Sequence, residues 1–161
     1  MKDLLDRLSS YNFFNYLLPG ALFSIVASKY TSADLLTNNL VVAFFVFYFI
    51  GMIVSRIGSL FIEPLLLRVN FITYSEYSKY VTASAKDSKI DVLLEVNNTY
   101  RTLISLFVTL GFFKLYDLAA TKIKWVDLLG PYLLGFFLLF LFVWSFKKQT
   151  KFINSRVDQQ Q

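Results

Sequence analysis

The stretch that decides the fold is Glu95-Val-Asn-Asn-Thr-Tyr-Arg-Thr-Leu-Ile-Ser-Leu-Phe-Val-Thr-Leu-Gly-Phe-Phe113. It begins polar and turns apolar, and it carries hydroxyl and amide side chains into its apolar part. A helix would collect these side chains on one face, because they are spaced four, three and four residues apart. They are Asn98, Thr102, Ser105 and Thr109. The stretch therefore predicts a marginal membrane helix whose polar face is covered by protein or by water.

Composition indicates that lipid is the solvent for much of the chain. Of its 161 residues, 56% are hydrophobic and 19% are aromatic, whereas a soluble domain averages about 45–50% apolar residues. Cysteine and histidine are both absent, which removes the thiolate nucleophile, the commonest general base and the usual transition-metal ligands. We therefore expect no enzymatic activity, no metal site and no cofactor. The net charge of +5 favours contact with anionic lipid or an anionic partner.

Four apolar segments are candidates for membrane spans, because a bilayer core needs about 20 residues of helix. They are residues 13–28, 40–55, about 98–118, and 128–146. Pro19 and Gly20 interrupt the first segment, so its helix either begins at Pro19 and is short or begins near Phe13 and bends. Trp125 and Trp144 border the last segment about 28 Å apart along a helix, as aromatic belts at two interfaces would.

The predicted architecture is an all-α integral membrane protein in four parts. Residues 1–64 hold an amphipathic lead-in, which we expect to lie at the interface and to be retained, followed by spans 1 and 2. Residues 65–97 form a helical hairpin outside the membrane. Residues 98–146 hold spans 3 and 4, joined by a short connection from Lys122 to Asp127. Residues 147–161 form a basic tail with a disordered, Gln-rich end.

The distribution of basic residues predicts the orientation of the four spans. With both termini in the cytoplasm, twelve of the sixteen Lys and Arg fall on the inside. The other four are Lys29, Lys114, Lys122 and Lys124. An excess of positive residues marks the cytoplasmic side of membrane proteins. The hairpin over 65–97 and the tail are then cytoplasmic.

The polar face of the third span has two interpretations. In the first, it lines a water-filled path where polar groups replace part of an ion's hydration. The lining residues would be Asn98, Arg101, Thr102, Ser105 and Thr109. One such face cannot enclose a channel, so this interpretation requires a homo-oligomer, which we expect to be a tetramer. In the second, the hydroxyls bond to their own helix or to a neighbour, for about 1 kcal/mol or less each.

Two further patterns leave alternatives open. Gly51, Ser55 and Ser59 stand four residues apart, and small residues at this spacing let helices approach closely, either within one chain or between subunits. Arg101 is either an interface anchor or the partner of Glu95. The second alternative needs a break in the helix or a neighbouring chain.

Basic and aromatic residues gather in the predicted cytoplasmic parts. They are Arg68, Lys79, Lys86, Lys89, Lys147, Lys148, Tyr74, Tyr77 and Tyr80. Cations for phosphate and rings for stacking are what single-stranded DNA or a nucleotide ligand requires. The alternative is attraction to anionic lipid headgroups, worth about 1 kcal/mol per basic residue. Three acidic residues repeat every four positions; they are Asp87, Asp91 and Glu95. Carboxylates at this spacing are able to hold a hard cation, but we interpret them as a solvated helical face.

Two stretches resemble small bacterial membrane proteins, many of which belong to two-gene anti-phage operons. They are Ser10-Tyr-Asn-Phe-Phe-Asn-Tyr-Leu-Leu-Pro-Gly-Ala-Leu-Phe23 and Leu94-Glu-Val-Asn-Asn-Thr-Tyr-Arg-Thr102. The resemblance covers these motifs and the four-span layout. In kind, the chain is most similar to the membrane channel subunit of the Hailong system. That resemblance implies an oligomeric channel-forming effector, held inactive by a single-stranded DNA oligomer on an electropositive surface and opened when the DNA is lost.

The resulting hypothesis is an oligomeric ion channel of the bacterial inner membrane. It would depolarise the cell in anti-phage defence when a cytoplasmic partner protein or a nucleic-acid ligand releases it. The alternative is a non-conducting membrane subunit that anchors or regulates a larger complex, with the polar face of the third span buried against that partner.

Overall fold

The computed structural model describes residues 12–158, and all of their regular secondary structure is helical. A π-helical turn over Phe13–Leu17 leads into α1, Leu18–Tyr30. After a loop over 31–39, α2 covers Leu40–Ile57, a second π-helical turn covers Gly58–Ile62, and α3 covers Glu63–Arg68. The remaining helices are α4 Tyr77–Lys86, α5 Lys89–Lys122 and α6 Lys124–Asp158.

Three helices of the described part are long enough and apolar enough to cross a membrane. They are Leu40–Arg68, which joins α2 to α3 without a break, Lys89–Lys122 and Lys124–Asp158. The prediction of an all-helical chain with membrane-length helices is confirmed to this extent. The first predicted span, residues 13–28, is not among the three, so the four-span layout stays a prediction. The interfacial lead-in over 1–11 and the Gln-rich end over 159–161 lie outside the described residues.

Helix boundaries differ from the sequence-based expectation in two places. The first helix begins at Phe13 and continues past Pro19, which settles the choice between the two predicted starting points. The connection expected from Lys122 to Asp127 is almost absent, since only Ile123 separates α5 from α6. A one-residue connection suffices because α6 reverses direction directly and packs back against α5.

Each π-helical turn ends two residues before a proline. Leu18 donates its N–H to the carbonyl of Phe13, and Glu63 donates its N–H to the carbonyl of Gly58, both across five residues. Pro19 and Pro64 follow these donors, and proline has no N–H with which to continue the regular pattern. Such single π-helical turns are often found at functional sites.

Helices α1 and α2 form the closest pair in the fold. A Cβ added to Gly20 would lie 1.7 Å from the carbonyl oxygen of Phe47, and one added to Gly51 would lie 1.7 Å from that of Tyr16. Only glycine fits at both positions, so the two backbones touch. Gly51 therefore serves packing within the chain, which is one of the two interpretations of the spacing of small residues.

The core lies where α5 packs against this pair. It contains Phe23, Ala27, Val54 and Leu106, which come from α1, α2 and α5. Helix α6 is the most loosely held, because only 6% of its most apolar stretch is buried, against 22% for Leu40–Arg68. Most of the apolar surface of α6 is consequently available to lipid or to another subunit.

Alanine substitutions at glycine test this packing directly. Gly51→Ala should lower the free energy of unfolding by about 1–3 kcal/mol, as overpacking does, measured by thermal or denaturant unfolding in detergent. Gly135→Ala is the matched control, because no atom of another described segment lies within 4 Å of the Cβ it would add. The control should be neutral or stabilising by helix propensity. Equal effects of the two substitutions would contradict the close approach of α1 and α2.

Candidate functional site

The helix bundle has two ends, which we name by the segments at them. The hairpin end carries α3, α4 and the start of α5, and the loop end carries residues 31–39. A row of buried polar side chains runs from the hairpin end into the bundle, between α1, α2 and α5. We call it the polar seam; its members are Asn15, Ser55, Thr102, Ser105 and Thr109.

Thr102 is the centre of the seam. Its side chain has no exposed surface, and its hydroxyl donates to the Asn98 carbonyl 2.9 Å away. Asn15 Oδ1 and Ser55 Oγ each lie 3.4 Å from the same oxygen. Three helices thus meet at one hydroxyl, and Asn15 reaches it from the π-helical turn that precedes α1.

Ser105 stands one turn further along α5 and is also completely buried. Its hydroxyl donates to the carbonyl of Val54 at 2.7 Å. The close packing of Gly58 beside Ser105, at 3.2 Å from an added Cβ, keeps α5 near α2 at this level. Thr102 and Ser105 therefore hold helices together within one chain, as the second interpretation of the polar face describes.

Two groups of the seam have no hydrogen-bond partner among residues 12–158. They are Asn15 Nδ2 and Thr109 Oγ1, both buried. A buried polar group without a partner costs about 1–3 kcal/mol. Thr109 is only half-buried as a residue, and it is the member of the seam furthest along α5 from the hairpin end. The seam therefore contains more polar groups than the contacts among the three helices use.

A cluster of charged side chains closes the seam at the hairpin end. We call it the charged cluster; it consists of Glu63, Arg101 and Lys148. Arg101 donates from Nη1 to Glu63 Oε2 at 2.7 Å, and Lys148 Nζ lies 3.4 Å from the same oxygen. The exposed fraction of the side chain is 17% for Arg101, 13% for Glu63 and 27% for Lys148. One carboxylate thus joins the helix over Leu40–Arg68 to both α5 and α6.

Lys148 also bonds the second π-helical turn. Its ammonium donates to the carbonyl and the hydroxyl of Ser59, at 2.7 and 2.9 Å. Ser59 lies in the π-helical turn over Gly58–Ile62, and Glu63 follows that turn directly and precedes Pro64. Proline, serine and glutamate in this short segment therefore build one site.

The charged cluster differs from what the sequence indicated. The sequence predicts that Arg101 anchors at the interface or pairs with Glu95, but α5 is unbroken and Arg101 pairs with Glu63. Glu63 is not among the residues that the sequence pattern singles out, although it is an acidic residue at the end of an apolar helix and next to a proline. The sequence predicts Lys148 on an open basic surface, whereas its side chain is turned towards Ser59 and Glu63.

Part of the predicted ligand-binding surface is brought together at the hairpin end. The rings of Tyr77 and Tyr80 lie 6.1 Å apart, and Tyr77 lies 6.4 Å from the ring of Phe152 on α6. The Tyr80 hydroxyl donates to Asp91 at 3.0 Å. Burial, followed by this bond to Asp91, raises the pKa of Tyr80 above its usual value. Helix α4 therefore packs between the start of α5 and the end of α6.

The other predicted ligand-binding residues are spread over the same end. Lys79 pairs with Glu76 at 3.2 Å, and the Tyr74 hydroxyl accepts from Asn97 at 3.5 Å. The remaining four are exposed on different segments; they are Arg68, Lys86, Lys89 and Lys147. The structure groups the aromatic residues more tightly than the cations.

A second polar contact closes the loop end. Asp117 on α5 is buried and accepts from both the N–H and the hydroxyl of Ser32. Lys114 donates to Asp117 at 3.1 Å and to the carbonyl of Tyr30 at 2.6 Å. The chain leaving α1 is thereby fixed to α5. The sequence pattern did not single out Asp117, because a lone acid near a predicted span end carries no spacing signal.

Comparison with family models, with curated proteins and with solved structures finds no match for this chain.

Two isosteric substitutions test the hydrogen-bond assignment in the seam. Thr102→Val should lower the free energy of unfolding by about 1 kcal/mol, because it removes a satisfied buried hydroxyl. Thr109→Val should leave that free energy unchanged or raise it, because the Thr109 hydroxyl has no partner. Denaturant unfolding of the two variants in the same detergent gives the comparison. An equal loss in both would mean that the Thr109 hydroxyl is satisfied in the folded protein.

Proposed function

We propose that this chain forms an oligomeric ion channel and is a bacterial inner-membrane effector of anti-phage defence. It depolarises the cell when a cytoplasmic partner or a nucleic-acid ligand releases it. The observation that carries the proposal is the polar seam, which places two unpartnered polar groups, Asn15 Nδ2 and Thr109 Oγ1, among helices of membrane length. Polar groups at membrane depth are expensive, and where they line a water-filled path they replace part of an ion's hydration.

The described conformation is the closed state in this proposal. Thr102 and Ser105 have no exposed surface, so ions reach the seam only after α5 moves away from α1 and α2. The charged cluster opposes that movement, because Glu63 holds the hairpin ends of α5 and α6 against the second π-helical turn. Release of this carboxylate is the opening step that we propose. A tetramer would then surround one path with four such seams.

A fourth span completes the proposed topology. Asn15 lies level with Thr102, and the carbonyl of Tyr30 accepts from Lys114, so α1 accompanies the apolar part of α5 from one end to the other. The 18 residues over 13–30 make about 27 Å of helix, close to the thickness of the hydrocarbon core. With four spans, the excess of Lys and Arg puts both termini and the hairpin in the cytoplasm.

The hairpin end is the proposed place of control. Tyr77, Tyr80 and Phe152 supply flat rings there, with exposed cations nearby. Rings and cations together suit single-stranded DNA or a nucleotide. A ligand on α4 is coupled to the charged cluster because Lys148 lies 5.8 Å from the ring of Phe152, which Tyr77 contacts. The resemblance to channel-forming defence effectors supports the same assignment.

A non-conducting membrane subunit is the second candidate function. The observation that favours it is the complete burial of Thr102 and Ser105 within a single chain, which needs neither a second copy nor water. In that case the seam serves only to hold α1, α2 and α5 together, and the apolar surface of α6 would anchor a larger partner.

Membrane potential in expressing cells separates the two functions. Glu63→Gln should depolarise cells at expression levels at which the wild-type chain does not, because it removes the carboxylate that ties the helices. Adding Thr109→Val should suppress this effect several-fold, because it removes a polar group from the path without changing side-chain shape. Thr121→Val is the matched control, since Thr121 is exposed near the loop end of the same helix.

Two outcomes would count against the channel. One is a Glu63→Gln protein that reaches the membrane as an oligomer and leaves the potential unchanged. The other is equal suppression by Thr109→Val and Thr121→Val, which would remove the seam from the path.

A further inference from the structure

The charged cluster carries more positive charge than its one carboxylate can balance. Arg101 and Lys148 both contact Glu63. Arg56 interacts electrostatically with Lys148. The Nη2 atom of Arg56 lies 3.4 Å from the Tyr16 hydroxyl. The two cations of the cluster against its one anion leave a net charge of +1, and Arg56 beside the cluster raises the sum to +2. Charge removed from water is costly unless it is paired. The cluster is therefore electrostatically incomplete within the described part of the chain.

A buried donor in the same place has no acceptor. Arg101 uses Nη1 for Glu63, whereas its Nε is buried and meets no hydrogen-bond partner in the part of the chain that the structure describes. Guanidinium groups recognise phosphate and carboxylate through several parallel N–H donors. The excess positive charge and the unpaired Nε donor would both be satisfied by one more oxyanion beside Arg101.

Aromatic surface adjoins the cations on the outside of the bundle. Trp144 stands one helical turn before Lys148 on α6, and its ring lies 6.2 Å from that of Phe61 and 5.0 Å from that of Phe140. Phe61 also stacks on Phe137 at 6.5 Å. Tryptophan marks the level of lipid headgroups in membrane proteins. A cationic end and an exposed aromatic wall running along α6 match the two halves of a phospholipid.

We propose that this surface binds the phosphate headgroup of an anionic phospholipid, with Lys148 and Arg101 as the headgroup contacts and Phe61 and Trp144 against its acyl chains. The aromatic wall favours a lipid over free inorganic phosphate, which has no apolar part to bury. Glu63 competes with the headgroup for the same cations. Lipid binding at this site does not require ion conduction, so its test is independent of the test of the channel.

Binding of lipid to the purified full-length chain tests the site. In detergent or in phosphatidylcholine nanodiscs, phosphatidylglycerol should bind to the protein and raise its melting temperature. Native mass spectrometry measures the binding, and thermal unfolding measures the melting temperature. Lys148→Gln should weaken this binding about fivefold, equivalent to about 1 kcal/mol per basic residue at a membrane surface. Lys151→Gln is the control, because it removes the same charge from an exposed position on the same helix. It should leave binding unchanged.

Glu63→Gln gives the sharper result. Loss of the internal carboxylate should strengthen binding of phosphatidylglycerol, whereas a purely structural role for Glu63 would weaken it or leave it unchanged. If Glu63→Gln does not fold, Arg56→Gln provides a second variant, expected to weaken binding less than Lys148→Gln does, because Arg56 adds positive charge beside the site without contacting the headgroup. Equal weakening by Lys148→Gln and Lys151→Gln would overturn the proposal. So would competition by inorganic phosphate at the concentration at which phosphatidylglycerol binds, or binding of single-stranded DNA to Lys148 in place of lipid.

Discussion

The rest of the structure depends on one constraint: a polar group carried into the apolar part of a helix bundle needs a partner inside the protein. Water is not there to bond it. Helix α5 carries hydroxyls into its most apolar turns, and α1 and α2 lie where those hydroxyls can be met. Thr102 bonds within α5 and touches Asn15 and Ser55, and Ser105 reaches the Val54 carbonyl. The arrangement of the three helices follows from these contacts as much as from the apolar core.

Glycine and proline make such contacts possible at two levels. Gly20 and Gly51 allow α1 and α2 to touch, which brings both against α5. Pro19 and Pro64 follow π-helical turns, and those turns present Asn15 to the seam and Ser59 and Glu63 to the charged cluster. The two departures from regular α-helix therefore supply Asn15, Ser59 and Glu63, whereas their partners Thr102, Arg101 and Lys148 lie on regular α-helix. Because Thr102 directly follows Arg101 on α5, the seam and the charged cluster form one continuous site.

The sequence predicted the helices better than it predicted their contacts. Apolar runs and tryptophans located the three membrane-length helices. The spacing of Thr102, Ser105 and Thr109 placed these three residues on one face of their helix. Both signals can be read because each depends only on residues close together in the sequence. The partner of Arg101 was not predictable from its own helix, since Glu63 stands 38 positions earlier and is delivered by a π-helical turn with no clear spacing signal. Lys148 looked like one more basic residue of the tail for the same reason. Pairing between distant helices is a property of packing, which periodicity does not encode.

The most direct test of the central claim is chemical access to the seam. The chain has no cysteine, so Thr109→Cys introduces the only thiol, and a small hydrophilic thiol reagent then reports whether water reaches that position. In the Glu63→Gln background, the account predicts that the reagent modifies Thr109→Cys and blocks the ion current, while the same thiol in the otherwise wild-type chain stays protected. An ion current that continues unchanged after complete modification of Thr109→Cys would contradict it.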